Sequence, residues 1–134
     1  MPAPSTLPEL VEWFDRFSLA LVRLAPYTLE EIQQVIAVFV RRVEAHVGPP
    51  AHGAPGGTGP PDRPRTREEL LRREHAWFRT SLDQLRWFLG IVEQEDHGGH
   101  RQALGQYGRL LAEALRLHLA DEPGVPATAG SGKA

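Results

Sequence analysis

With 134 residues, 41% hydrophobic and 24% charged, the chain has the size and composition of one globular domain. A formal net charge of −2 gives it no bulk attraction to nucleic acid or to an anionic membrane. Lack of cysteine excludes disulfides, thiolate metal sites and thiol nucleophiles, and the longest apolar run, Val35–Val40, is too short to cross a bilayer. The first ten residues lack a basic segment followed by an apolar stretch, so a cytoplasmic location is the expectation.

Residues 1–5 are proline-rich and expected to be flexible. Thr6-Leu7-Pro8-Glu9 is a capping box with proline tolerated in the first turn, and Pro26 is a stop, which predicts a helix over 7–25. Its apolar stripe is Leu7, Leu10, Val11, Phe14, Phe17, Leu21 and Leu24. A second capping box, Thr28-Leu29-Glu30-Glu31, opens a helix over 29–47 that stops at Gly48-Pro49-Pro50. Within it Val35–Val40 is apolar and β-branched enough to suggest a strand, but the box before it and the three-four spacing across it favour a helix covered on more than one side. Residues 48–65 are mostly proline and glycine and read as a flexible linker.

A third box, Thr66-Arg67-Glu68-Glu69, opens the longest helix, 67–96. Leu71, His75, Phe78, Leu82, Leu85, Leu89 and Val92 lie on one face of it, and six of these seven are apolar. Asp96-His97-Gly98-Gly99 reads as a turn, and a fourth helix covers 100–121 with Leu104, Tyr107, Leu111, Ala114 or Leu115, and His118 on its stripe. Residues 123–134 read as a disordered tail. The fold expected is all-α: a single domain over 6–122, a four-helix bundle of two hairpins joined by the long Pro/Gly-rich linker. That linker would either cross between hairpins within one chain or let them exchange between chains.

One constellation carries chemistry. In an up-down-up-down bundle His46 lies 19 residues past Tyr27, His118 lies 20 past Gly98 and His75 lies 23 before it. The helical rise then brings all three within about 6 Å of one axial level. Glu9, Glu44, Asp121 and Glu122 lie near that end, and His118 and Glu122 have the i,i+4 spacing that lets two ligands share a helix face. A site of His46, His75, His118 and Glu122 would suit zinc, iron, manganese or nickel. Against it, a histidine near a helix end also caps carbonyls and favours the dipole there. The Glu-x-x-His and His-x-x-x-His ligand pairs used by other helical bundles are absent.

His97-Gly98-Gly99-His100, with Asp96 and Glu93, is a second histidine pair, more simply read as a polar connection. Gly130-Ser131-Gly132-Lys133 lacks the strand, helix and hydroxyl residue of a phosphate-binding loop. The arginines at 63, 65, 67, 72 and 73 are interleaved with Asp62, Glu68, Glu69 and Glu74, a solvated face rather than a phosphate grip. Ser18 and Ser81 sit mid-helix, without the elbow of a serine nucleophile.

Helix three outruns its neighbours, so part of its apolar face wants a cover from outside the chain. Trp13, Val35, Val38, Trp77 and Trp87 are the candidate interface residues. The leading expectation is a non-catalytic protein-interaction module that associates with itself, most simply as a homodimer. The alternative is a metal-binding bundle, which could be a metalloenzyme, and the third is a nucleic-acid accessory protein, with no membrane association in any of them.

Overall fold

The structure, a computed structural model, describes residues 4–48 and 67–121. These form four helices and, among the described residues, no strand: α1 (Leu7–Val22), α2 (Leu29–Val47), α3 (Arg67–Gln94) and α4 (Gly98–Asp121). Most of the linker, Thr66 of the third capping box, Glu122 and the tail lie outside the described residues. The all-α four-helix expectation holds.

Local chemistry sets the helix ends. At the start of α1 the Thr6 hydroxyl accepts from the Glu9 backbone N–H at 3.2 Å. At the start of α2 the box is reciprocal: Glu31 N–H donates to Thr28 Oγ1 at 3.0 Å, and Thr28 N–H donates to Glu31 Oε1 at 2.8 Å. α1 stops at Val22, three residues before the end expected from Pro26. There the Ala25 N–H donates to the Ala20 carbonyl and the Leu24 N–H to the Leu21 carbonyl, both at 2.9 Å. This is a Schellman closure, with Leu24 in the left-handed position (φ 61°) that glycine usually takes. Leu24 therefore leaves the stripe assigned to it and is 49% exposed.

α4 begins at Gly98, earlier than expected, because a side chain caps it. His97 Nδ1 accepts the backbone N–H of Gly99 at 3.0 Å and of His100 at 3.4 Å. Beside it Asp96 takes Arg101 in a two-pronged contact of 2.6 and 2.8 Å, and Arg101 also donates to the Tyr27 carbonyl at 2.6 Å. The α3–α4 turn is thereby tied to the α1–α2 turn at the same end of the bundle.

Consecutive helices run antiparallel, and α4 closes the ring against α1, the most extensive of the helix contacts. Among the described residues the diagonal pairs, α1 with α3 and α2 with α4, do not approach closely. Phe14 and Phe39 stack at the centre, ring centroids 3.7 Å apart and 9° from parallel. Leu10, Ile32, Leu82, Leu85, Leu111 and Leu115 complete the core around them. The tightness of α1 on α4 depends on Gly105: a Cβ there would lie 2.6 Å from the Ser18 carbonyl oxygen. No helix among the described residues is long and apolar enough to cross a membrane.

Candidate metal centre

α3 carries two overlapping stripes, and their divergence builds the site. Leu71, His75, Leu82 and Leu89 form one edge, and Glu74, Ser81 and Phe88 form the other; Phe78, Leu85 and Val92 are shared. The first edge meets α2, where His75 reaches His46. The second meets α4, where Phe88 lies 5.1 Å from Tyr107 between ring centroids and Glu74 reaches His118. α2 supplies His46 from its last turn, and α4 supplies His118 from its last turn. Arg79 holds α2 in place by donating to the Val47 and Gly48 carbonyls at 3.2 and 3.4 Å, next to His46.

The three rings meet edge to face, with centroids 4.9 to 5.5 Å apart. What converges is one nitrogen from each. His118 Nε2 lies 3.2 Å from His75 Nε2 and 3.4 Å from His46 Nε2. The three ligand atoms all fall within 4.8 Å of one another. His118 is 2% exposed and lies under the Phe78 ring, while His46 and His75 are half-buried.

The opposite nitrogen of His118, Nδ1, lies 2.5 Å from Glu74 Oε1. A carboxylate accepts, so Nδ1 carries the proton and, in the neutral ring, Nε2 presents its lone pair towards the other two histidines. That single lone pair can accept one N–H, from His46 or from His75. A dication, by contrast, accepts the lone pairs of all three nitrogens together. Tetrahedral zinc with Zn–N bonds of 2.0–2.1 Å spaces its ligand nitrogens by about 3.3–3.4 Å. The two measured separations, 3.2 and 3.4 Å, bracket that value. His46, His75 and His118 could hold a metal ion.

Two of the carboxylates named from the sequence, Glu44 and Glu9, are engaged elsewhere. Glu44 pairs with Arg86 at 2.5 Å, and Glu9 accepts the Ser5 N–H at 3.1 Å. Glu122 lies outside the described residues, as does the Asp121 side chain. The carboxylate that sequence reasoning missed is Glu74. The signal for it was the second stripe of α3, which places Glu74 one turn before Phe78 on the edge facing α4.

At the opposite end of the bundle Glu95, His97 and His100 also bring three potential ligand atoms within 4.8 Å. Here the histidines are committed to backbone. His97 Nδ1 is the acceptor that caps α4, and His100 Nδ1 donates to the Glu95 carbonyl at 2.7 Å. With Nδ1 of His97 accepting, the proton of its neutral ring sits on Nε2, which then has no lone pair for a metal.

Of the residues named as interface candidates, Trp13, Val35 and Val38 pack half-buried against the chain's own core. Trp77 and Trp87 remain 44% and 57% exposed. Comparisons with known families, with characterised proteins and with solved structures returned no match.

Proposed function

We propose that this protein is a metal-binding four-helix bundle whose ion is held by His46, His75 and His118, with zinc the best fit and iron, manganese or nickel the other candidates. The convergence of three Nε2 atoms from three helices carries this reading. It is supported by Glu74, which orients His118 in the way that carboxylates behind metal-bound histidines generally do. Neutral imidazole donors suit borderline divalent transition metals better than magnesium or calcium, which prefer oxygen. The ion would join α2 to α4, the diagonal pair whose backbones do not meet. Elemental analysis of protein purified without chelator tests the reading. The expected result is close to one transition-metal ion per chain, and the loss of that ion in His118→Ala. Substoichiometric metal that zinc addition cannot raise would sink it.

Self-association is a second reading, supported by the exposure of Trp77 and Trp87 on α3 and of Leu110 and Leu117 on α4. Its partner is a second copy of the chain. Light scattering across a concentration series is expected to give the mass of a dimer, shifted towards the monomer in Trp77→Ser/Leu117→Ser. A monomer at every concentration up to the high micromolar range removes it.

A further inference from the structure

We infer that His97 is a pH-sensitive cap: protonation of its ring withdraws the acceptor that holds the start of α4 and frays the first turn of that helix, whatever the other end of the bundle binds. The residue stands at the N-cap position, directly before α4. Its Nδ1 accepts the backbone N–H groups of the second and third helical residues, Gly99 at 3.0 Å and His100 at 3.4 Å. Serine, threonine, asparagine and aspartate usually cap helices, and their oxygens take up no proton near neutrality. An imidazole nitrogen does, because histidine changes charge between pH 5 and 8. Once protonated, Nδ1 is a donor aimed at two other donors. The imidazolium also stands at the positive end of the α4 dipole. The turn it caps opens with Gly98 and Gly99, and glycine is the poorest helix former after proline, so this turn leans on its cap. Gly99 also gives the ring its seat: a Cβ there would lie 3.1 Å from His97 Cε1 and 3.4 Å from Nδ1.

His100 does not share this behaviour. Its Nδ1 donates to the Glu95 carbonyl at 2.7 Å, a bond that the protonated ring keeps. The two rings stack with centroids 3.8 Å apart and planes 30° from parallel, so charging both adds repulsion to the lost cap. The titratable and charged groups around the turn are Glu93, Glu95 and Asp96 at the end of α3, Arg101 on α4, and Arg23, Tyr27, Glu30 and Glu31 on the α1–α2 side. Gln33 donates to Glu93 at 2.8 Å, and Glu31 accepts the Thr28 N–H. The side chain of the α1–α2 turn that comes closest to Gly98 is apolar, that of Leu24. Arg101 holds the Asp96 carboxyl below the usual carboxylate range and donates to the Tyr27 carbonyl. That tie therefore survives mild acid, and the opening is confined to the segment before Arg101.

Nitrogen NMR on the isotope-labelled full-length chain reads ring and amides together between pH 8 and pH 5. At the basic end the His97 ring is expected to carry its proton on Nε2. The Gly99 and His100 amides should there be protected from exchange relative to an unstructured peptide at the same pH. That protection should fall about fivefold, the size of an ordinary N-cap, with the same midpoint as the His97 ring. His97→Asn keeps a cap that does not titrate, and in it the protection of both amides should stay constant over the range. Any metal release on acidification is common to the two chains, so their difference isolates the ring. Equal loss of protection in both chains would overturn the inference. So would wild-type amides that stay protected while the His97 ring titrates, or a neutral ring with its proton on Nδ1.

Discussion

The two histidine clusters, one at each end of the bundle, are built from the same residue type and differ in what the backbone asks of it. At the turn end His97 and His100 lie three apart in sequence, and their nitrogens serve local backbone groups: one ring caps α4 and the other bonds the Glu95 carbonyl. At the opposite end His46, His75 and His118 come from three helices, and the Nδ1 proton of His118 points outward to Glu74. The difference teaches that proximity alone does not ready imidazoles for a metal, because a ring nitrogen that carries the proton has no lone pair to give. What decides is where the proton sits, and that is set by the partner of the other ring nitrogen. Sequence adjacency favours caps, because a side chain beside a helix end finds unsatisfied N–H and C=O groups at once. Convergence from distant segments instead brings ring nitrogens of three helices together, here with His118 Nε2 3.2 and 3.4 Å from those of His75 and His46.

The largest test of this contrast is Glu74. Glu74→Ala removes the outward acceptor and is expected to weaken zinc binding about 10–100-fold, with Glu74→Gln falling between the two. Titration calorimetry against a competing chelator measures it, and an unchanged affinity would break the link between proton placement and metal binding. Next in size is His97→Ala. It removes the cap of α4 and is expected to cost about 1 kcal/mol in denaturant unfolding, as other N-cap losses do, with zinc affinity unchanged. A fall in zinc affinity matching that of His118→Ala would show that the two ends are not separate.

The smallest effect is expected on acidification, where the two ends should fail at different pH. Arg101, hydrogen-bonded to Asp96, holds that carboxyl below the usual carboxylate range. A depressed folded-state value means that the pair stabilises the turn above the ordinary carboxylate pKa and ceases to do so only as pH falls through the lowered one. Protons compete with metal for imidazole nitrogen at higher pH than they reach carboxylates. The ion should therefore leave first, and the contribution of the turn pair should fade only in strongly acid solution. Thermal melts of the wild type and Asp96→Asn, each with and without zinc, follow both steps. A turn-dependent loss that precedes metal release would reverse the order.

The chain's own periodicity and punctuation determined four helices, their order and most of their ends, because three-four spacing and capping boxes act within a few residues of themselves. The start of α2 at Leu29 follows directly from Thr28 and Glu31. Even the shared axial level of His46, His75 and His118 could be counted from the turns, since helical rise is constant. Only tertiary structure decided the rest. The left-handed Leu24 and the histidine cap at His97 moved two helix ends, each by a local geometry that the spacing of apolar residues does not encode. The pairing of Glu74 with His118 depends on the azimuth at which α3 faces α4, which core packing sets. Rise along a helix is a property of the backbone alone, whereas rotation about its axis is fixed by the neighbours, and it is rotation that turns three level histidines into one site.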